Sequence, residues 1–241
     1  MSLSNADLEL LRSYDTPTIC NVIEVFHIRP RHTGYLDARI KACFPEMPPM
    51  VGFASTATFR SAAPPREGNV YASLDRHVAA FAELPGPAVA VFQDLDDPPA
   101  SATFGEVMCT TYKRFGAVGL ITSGAARDLD QVRRLSFPCF SGGVIASHGW
   151  AHFVDVGVPV AVGGVALNPG DLLHGDANGV TTIPPEIASE VAHACAEYAA
   201  AEQVVLDYCK SAEVSVAGFA EARAECGRRI AALSDRVRLR N

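Results

Sequence analysis

The sequence lacks the short glycine-rich motifs that bind nucleotides. No two of its glycines are two positions apart, which excludes the G-x-G-x-x-G fingerprint, and no glycine precedes a lysine, which excludes the Walker phosphate loop. The nucleophile elbow G-x-S-x-G is also missing, because Ser147 precedes Gly149 at the right spacing but Ile145 stands where the first glycine belongs. Dinucleotide, nucleoside triphosphate and serine-hydrolase chemistry therefore have no sequence support.

Paired cysteine motifs and an excess of basic charge are absent as well. The 7 cysteines are odd in number, widely spaced and never arranged as C-x-x-C, a pattern typical of reduced thiols in a cytoplasmic protein. The formal net charge is -7, so no basic field attracts phosphates and we expect no nucleic-acid partner. The longest apolar run, residues 156–167, is broken by Pro159 and three glycines, so neither a signal peptide nor a membrane span is expected.

The composition is that of an ordinary folded α/β protein. With 241 residues, 49% hydrophobic and 20% charged, the chain is long enough for one large domain or two small ones. Short apolar runs alternate with segments of helical spacing, which predicts an α/β domain with a central mixed β-sheet flanked by helices. We predict a helix over residues 69–84, a long connection over 27–49 with one short strand near 39–43, and a β-meander over 158–183.

The stretch from Gly105 to Asp128 combines a helix, a strand and an Arg-Asp pair. Apolar residues after Gly105 recur at helical spacing, and Gly116 ends this helix. The apolar run Ala117 to Ile121 has the length and composition of a buried strand. The chain then bends before Arg127 and Asp128. Since one helix and one strand separate Glu106 from this pair, the two carboxylates are expected to flank one pocket.

These residue types suit a divalent cation and a small keto acid. A helix that begins after Gly105 presents the backbone N–H groups of Val107 and Met108 to an anion, and Arg127 offers a planar fork to a carboxylate. Asp128 supplies a hard oxygen ligand. The alternative is that Glu106 is an acid favoured by the helix dipole and that the Arg-Asp pair lies on the surface; spacing alone leaves both open. Lys113 is the lysine nearest the motif and faces a helix side, which disfavours a Schiff-base aldolase.

The segment GEVMCTTYKRFGAVGLITSGAARD resembles the RraA-like family, which includes the class II pyruvate aldolase for 4-hydroxy-4-methyl-2-oxoglutarate. Three further segments resemble the same family, and the resemblance covers about residues 8–210. They are DTPTICNVIEVF at 15–26, FPCFSGGV at 137–144 and NPGDLLHGDANGVTTIPPEIA at 168–188. The resemblance implies a single domain of the swivelling β/β/α type over residues 1–210 and assembly as a homotrimer or homohexamer. The Arg-rich stretch over 211–241 lies outside the resemblance, and its charges predict a helical extension that is either solvated or an intersubunit arm.

The resemblance also implies a function and roles for individual residues. It implies a lyase that depends on Mg²⁺ or Mn²⁺, releases pyruvate from a 2-oxo acid and also decarboxylates oxaloacetate. By this resemblance, Asp128 would hold the metal, Arg127 would bind the pyruvyl group and stabilise its enolate, and Glu106 would position a metal-bound water. From the start of the helix after Gly105, the backbone of Gly105, Val107 and Met108 is expected to bind substrate. The familiar aldolases have Asp where this chain has Glu106.

A function of a different class follows from the same resemblance. RraA itself resembles these aldolases but binds and inhibits a ribonuclease, so a non-catalytic regulator is the alternative. The intact set of an acid, twenty residues and Arg-Asp favours catalysis.

Other polar clusters have weaker patterns. Asp94, Asp96 and Asp97 lack the spacing of a calcium loop and are interpreted as turn acids. The pair His148 and His152 has zinc-ligand spacing, but Gly149 between them and the missing glutamate argue against a metal site, although a substrate contact stays open. The loop residues His27 and His32 are interpreted as solvated, with a place on a pocket rim as the alternative.

Overall fold

The computed structural model describes residues 3–238. In chain order the helices are α1 Asn5–Arg12, α2 Thr16–Val25, α3 Leu74–Ala79, α4 Glu106–Arg114, α5 Leu129–Arg134, α6 Ala188–Lys210 and α7 Val216–Arg238. The strands are β1 Lys41–Ala42, β2 Met50–Arg60, β3 Ala88–Asp94, β4 Ala102–Phe104, β5 Ala117–Thr122, β6 Ala125–Ala126, β7 Cys139–Ser141, β8 Gly143–Val144, β9 His152–Val156, β10 Val160–Val162, β11 Val165–Leu167, β12 Leu172–Asp176 and β13 Gly179–Ile183. No described helix has both the length and the apolar character needed to cross a membrane.

Contacts within the described residues define two compact units. Residues 3–33 and 186–238 form a helical unit, and residues 34–185 form a unit that contains every described strand. The predicted boundary between a family domain ending at 210 and an extension over 211–241 stays a prediction. Residues 1–2 and 239–241 of those two predicted domains lie outside the described residues.

An eight-stranded mixed sheet forms the centre of the second unit. Its order is β1-β7-β5-β3-β2-β12-β13, and β9 also pairs with β2. The four strands β7, β5, β3 and β2 run parallel to one another. The strands at their flanks pair antiparallel: β1 with β7, β12 and β9 with β2, and β13 with β12. The parallel strands are apolar along most of their length because both faces are buried, as β3 shows with Ala88–Phe92 inaccessible to solvent. The predicted α/β class with a central mixed sheet flanked by helices is confirmed.

A second, three-stranded parallel sheet carries the Arg-Asp segment. Its order is β4-β6-β8, with the Cα partners Phe104↔Ala126 and Ala126↔Val144. These strands are two or three residues long. The short strands and tight turns predicted over 158–183 are confirmed, but the predicted continuous meander is not. The described strands form two separate antiparallel hairpins: β10-β11 is a sheet of its own, and β12-β13 belongs to the eight-stranded sheet.

In the helical unit, local capping and side-chain packing fix the helix ends. Ser4 and Asp7 form a reciprocal capping box at the start of α1, in which the Ser4 side chain accepts from the Asp7 backbone N–H. The segment after residue 210 forms α7, which agrees with the predicted helix. Tyr208 joins α6 to the turn before α7, since its hydroxyl donates to the Ser215 carbonyl at 3.0 Å and accepts from the Ser215 N–H at 2.7 Å.

The predicted helix over 69–84 is wrong at its beginning. Helix α3 starts only at Leu74, and a separate 3-10 turn follows it over Ala80–Glu83. Tyr71 and Ser73 have φ angles of 62° and 66°, which an α-helix cannot contain. The backbone N–H of Tyr71 donates to the Ala151 carbonyl at 2.6 Å, so a contact distant in sequence overrides the local helical spacing.

His77, a residue of α3, lies in an aromatic part of the core and is wholly buried. The rings of four residues surround it with centroid distances of 5.1 to 5.4 Å, namely Phe81, Phe92, Tyr112 and Phe153. Its Nε2 lies 3.0 Å from the Ser55 carbonyl, which can only accept, so Nε2 carries the proton; Nδ1 therefore accepts from the Tyr112 hydroxyl at 2.8 Å. Burial lowers the pKa of His77 to about 4, because the charged imidazolium would lose its hydration.

Candidate active site

Two neighbouring strand ends bring the predicted site residues together. β4 leads directly to Gly105 and Glu106, and its parallel neighbour β6 leads directly to Arg127 and Asp128. The Arg127 N–H donates to the Phe104 carbonyl at 3.1 Å, which continues the pairing one residue beyond β6. Because the carboxyl ends of parallel strands lie at the same edge of a sheet, the two segments leave it side by side.

The Asp128 carboxylate joins these two segments. Its Oδ2 accepts a hydrogen bond at 3.1 Å from the backbone N–H of Glu106, the first residue of α4. Asp128 stands at the N-cap of α5 yet makes no capping bond to that helix, and its backbone is left-handed with φ 53° and ψ 40°. This conformation is unfavourable for most residues but tolerated by Asp. It directs the carboxylate to the start of α4 instead of its own helix.

Gly105 allows the close approach of Arg127 and Asp128. A Cβ atom at this position would lie 2.5 Å from Asp128 Oδ2 and 3.1 Å from Arg127 Nε. The φ angle of Gly105 is -159°, which any residue adopts, so its role is steric. A side chain at position 105 would displace the two groups that the site needs.

The Arg127 guanidinium has donors that the described protein does not satisfy. Its Nε is buried without a hydrogen-bond partner among the described residues, and it lies 3.9 Å from Asp128 Oδ2, beyond hydrogen-bonding distance. Nη2 donates to the Tyr71 hydroxyl at 3.4 Å, a long hydrogen bond. The side chain is 28% exposed. A partly buried guanidinium with unmet donors is suited to bind a carboxylate.

The start of α4 supplies the remaining predicted groups. The side chain of Glu106 is exposed and makes no hydrogen bond or ion pair with residues 3–238. The N–H groups of Val107 and Met108 also have no acceptor within that range, as expected for a first helical turn. The Met108 side chain is buried and that of Val107 is 77% exposed, so both can contribute to an anion site only through the backbone or, for Val107, through an apolar rim.

Tyr71 is a neighbour of the site that the sequence analysis missed. The left-handed turn before α3 places its hydroxyl 3.4 Å from Arg127 Nη2, and its ring lies 5.6 Å from that of His148. No sequence signal marked Tyr71, because it falls within a segment of helical spacing. Strained backbone beside a candidate site is a recognised sign of function, since the strain must be sustained by other contacts.

The other candidates do not form a metal site. His148 Nδ1 lies 2.9 Å from the Gly149 carbonyl and His152 Nδ1 lies 2.6 Å from the Trp150 carbonyl, so each imidazole bonds to a nearby carbonyl. Among residues 3–238 there is no group of three or more His, Cys, Asp or Glu side chains placed to hold a metal ion. His27 and His32 are exposed and lie in the helical unit.

The acids at the end of β3 and just after it, Asp94 and Asp96, differ in how their carboxylates are bonded. Asp96 Oδ2 accepts the backbone N–H groups of Ser61 and Ala62 at 2.7 and 2.9 Å, which agrees with its interpretation as a turn acid. Asp94 Oδ2 is buried without a hydrogen bond among the described residues. Burial raises the pKa of Asp94 to about 6.

The donor set at the strand ends fits magnesium or manganese better than zinc. Both contacts to the Asp128 carboxylate, from the Glu106 N–H and from Arg127, are at Oδ2, and the side chain is 32% exposed. Mg²⁺ commonly binds one or two carboxylates and completes its shell with water and substrate oxygens, whereas zinc sites need three or four protein ligands. A single carboxylate beside a guanidinium is therefore compatible with Mg²⁺ or Mn²⁺.

Residues 16–182 match the model of the RraA-like family, described as Aldolase/RraA. The chain belongs to the RraA-like family. This match covers β4, β6 and α4, and with them all the predicted site residues. The family resemblance expected from the sequence is thus confirmed.

Two proteins that are named as aldolases are similar to part of this chain. A protein of Halalkalibacterium halodurans named "Putative 4-hydroxy-4-methyl-2-oxoglutarate aldolase" is 35% identical over 107 residues, which are 44% of this chain and 50% of that protein. A protein of Ectopseudomonas mendocina with the same name is 26% identical over 110 residues, or 44% of this chain and 66% of that protein. The chain thus spans about half the length of the first of these relatives.

Solved structures show the fold of this RraA-like chain. An uncharacterized protein from Pseudomonas syringae pv. tomato superposes with a TM-score of 0.71 at 22% identity, covering 93% of this chain and 95% of the other. RraAS2 of Streptomyces coelicolor, described as an unusual member of the RNase ES inhibitor RraA protein family, superposes with a TM-score of 0.65 at 24% identity, covering 83% and 95%. At these identities the likeness concerns the fold alone.

Proposed function

We propose that this RraA-like protein is a divalent-metal-dependent lyase that breaks a C–C bond in a 2-oxo acid and releases pyruvate. The observation that carries the proposal is the hydrogen bond of 3.1 Å from the Glu106 N–H to Asp128 Oδ2, with Arg127 adjacent. It joins a carboxylate to a helix N-terminus, and the Arg127 Nε lies 3.9 Å from the same carboxylate oxygen. The names of the relatives from Halalkalibacterium and Ectopseudomonas support the same reaction class.

Arg127 and the start of α4 bind the anionic part of the substrate. The guanidinium offers its unmet donors to the carboxylate of the 2-oxo acid, and the N–H groups of Val107 and Met108 add a second set of donors. Asp128 would hold Mg²⁺ or Mn²⁺, which supplies a Lewis acid for the keto oxygen. As the C–C bond breaks, negative charge develops on that oxygen, and the guanidinium stabilises it.

In this proposal Glu106 positions the water that transfers the proton. Its carboxylate is exposed and lies at the first position of α4. In retro-aldol cleavage it orients a water that accepts the proton of the substrate hydroxyl, and the pyruvate enolate then takes a proton at C3. Decarboxylation of oxaloacetate gives the same enolate, with carbon dioxide as the other product, so one arrangement serves both substrates.

A coupled assay tests this function. Pyruvate released from 4-hydroxy-4-methyl-2-oxoglutarate is followed by NADH oxidation with lactate dehydrogenase, with metal but no protein as the blank. We expect EDTA to abolish release and Mg²⁺ or Mn²⁺ to restore it. Full activity in chelator, or covalent trapping of substrate by borohydride, would refute a metal-dependent mechanism.

The non-catalytic regulator is the rival, favoured by the fold shared with RraAS2. Absence of pyruvate release from both substrates, together with inhibition of a ribonuclease by the purified chain, would support it instead.

We also propose that the protein assembles as a homotrimer or homohexamer. Light scattering tests this, and a fully active monomer would contradict it.

A further inference from the structure

A large groove lies between α3 and α4, outside the group of residues assigned a role above. Its volume is about 910 Å³, within the range of small-molecule sites. Apolar residues form most of its lining, among them Leu74, Val78, Phe81 and Phe115. Phe115 is 61% exposed, and an exposed phenyl ring among other apolar residues marks a surface suited to bind an apolar group.

Tyr71 connects this groove to the candidate active site. It lines the groove, and its hydroxyl lies 3.4 Å from Arg127 Nη2. The phenol oxygen accepts that hydrogen bond, so its own proton stays available for a second partner. A substrate with its carboxylate on Arg127 would have Tyr71 beside it and the groove behind Tyr71.

The charges of the groove select against a second carboxylate. Asp75 is its charged lining residue, and the Asp75 side chain makes no ion pair within residues 3–238. Among residues 3–238, no basic side chain lines the groove. The hydroxyl of Thr111 is already bonded to the Val107 carbonyl at 2.9 Å. An apolar group is therefore accommodated, whereas a carboxylate would face Asp75 without a counter-charge.

We propose that the α3–α4 groove holds an apolar alkyl or aryl group on C4 of a 4-hydroxy-2-oxo acid, whose carboxylate binds Arg127, an inference that rests on the function proposed above. Cleavage breaks the C3–C4 bond. The C4 hydroxyl loses its proton and becomes the carbonyl of an apolar aldehyde, and C3 gains a proton to give pyruvate. Tyr71 is a positioning residue whose hydroxyl donates a hydrogen bond to a substrate oxygen held near Arg127.

A substrate series tests the assignment with the full chain and Mg²⁺. The series contains 4-hydroxy-2-oxopentanoate, 4-hydroxy-2-oxodecanoate and 4-hydroxy-2-oxoglutarate, which place a methyl, a hexyl and a carboxylate group on C4. Burial of each methylene is worth about three- to fourfold in binding, so we expect kcat/KM for the hexyl compound to exceed that for the methyl compound by at least about tenfold. The carboxylate compound should be the poorest. Equal rates across the series, or a preference for the carboxylate, would overturn the inference while leaving the lyase function standing.

Two groove variants and their controls assign the effect to this surface. Ala82 lines the groove and is exposed, so Ala82→Trp fills space without entering the core, and the exposed Ala166 in β11 provides the control Ala166→Trp. We expect Ala82→Trp to remove the advantage of the hexyl compound and leave the methyl compound within about twofold. Asp75→Lys should raise the rate with the carboxylate compound, whereas Glu83→Lys, an exposed residue outside the lining, should not.

A binding arm separates failure of the groove assignment from failure of the lyase function. Calorimetry with Mg²⁺ compares 2-oxooctanoate with 2-oxoglutarate, neither of which can undergo retro-aldol cleavage. Tighter binding of 2-oxooctanoate that Ala82→Trp abolishes supports the groove even if no pyruvate is released. Tighter binding of 2-oxoglutarate overturns it. A different outcome is that Ala82→Trp changes the molar mass measured by light scattering and leaves the substrate preference unchanged. That result would mean that a second copy of the chain covers the groove, and it would overturn the assignment.

Discussion

The carboxylate of Asp128 accepts the backbone N–H of Glu106 at 3.1 Å, although Asp128 begins a different helix. It therefore occupies one of the orphan N–H groups at the start of α4 and leaves those of Val107 and Met108 without an acceptor among the described residues. The same side chain thus fixes the position of α4 and presents a partly exposed carboxylate beside Arg127. Its replacement should affect metal binding and local structure to different degrees.

Asp128→Asn keeps the size of the side chain and removes its charge. If Asp128 holds the metal, calorimetry should show at least about a tenfold weaker affinity for Mn²⁺, and pyruvate release should fall with it. Asp130→Asn is the matched control, because Asp130 is an exposed acid of the same helix and pairs only with Arg133 among the described residues. Undiminished turnover in Asp128→Asn would remove this residue from the site.

Gly105→Ala tests the close approach on which the site depends. A Cβ at 2.5 Å from Asp128 Oδ2 must push that carboxylate away, so we expect a loss of stability of about 1–3 kcal/mol and weaker metal binding. Gly143→Ala is the control: no atom lies within 4 Å of a Cβ there, and β8 belongs to the same small sheet. Urea unfolding measures the stability of both variants. Equal stability of Gly105→Ala and Gly143→Ala would show that the backbone at position 105 moves aside without a loss of stability.

The sequence predicted those parts of the site that local patterns encode. Gly116, with φ 91°, follows α4, and the apolar run after it is β5, as helical periodicity and strand composition indicated. The strands that align Glu106 with Arg127 could not be found by periodicity, because β4 and β6 have three and two residues. Their pairing was expected only from the return of the chain and from the family resemblance.

Tyr71 shows why the remainder escaped prediction. Its segment has helical spacing, and the intrinsic preference of Asn69 to Leu74 gives no warning of two left-handed residues. Hydrogen bonds from Tyr71 to Ala151 and from Phe153 to Ala72 hold the turn against β9. Such contacts depend on the completed sheet, so a local reading of the sequence could not place Tyr71 beside Arg127.

The buried imidazole of His77 predicts a loss of stability in acid. Its pKa is lowered from 6.5 to about 4, so the unfolded chain binds the proton first as pH falls through this window. The stability is fully present above pH 6.5 and decreases towards pH 4, by roughly 3 kcal/mol in total. NMR of the imidazole nitrogens should show the neutral form with the proton on Nε2 at pH 5, and an imidazolium signal there would contradict the prediction.

Asp94 acts in the opposite direction and has to be separated from His77. Its pKa is raised from 3.8 to about 6, so the folded chain binds this proton first, and the stability from its protonated form is present below pH 3.8 and lost as pH rises through 6. Between pH 6 and 4 the two effects partly cancel. In Asp94→Asn the contribution of Asp94 is gone, so urea unfolding should show a steeper decrease in stability with acid than in the wild type. An identical pH profile would mean that Asp94 does not titrate in this window.

Substitution of Glu106 should have a different effect from substitution of Asp128, because Glu106 is proposed to position the water that moves a proton, whereas Asp128 is proposed to bind the metal. Glu106→Gln keeps the shape and the backbone N–H that Asp128 accepts, so Mn²⁺ affinity should stay within about twofold of the wild type. Turnover should fall by on the order of 10²-fold, the usual contribution of a positioned acid–base group. Glu106→Asp restores the charge but withdraws it by one methylene, so partial activity is expected if the site has adapted to Glu. Calorimetry and pyruvate release are measured on the same preparations. A Glu106→Gln protein with wild-type turnover would return Glu106 to the role of a helix N-terminal acid, and equal loss of metal binding in Glu106→Gln and Asp128→Asn would make both residues ligands.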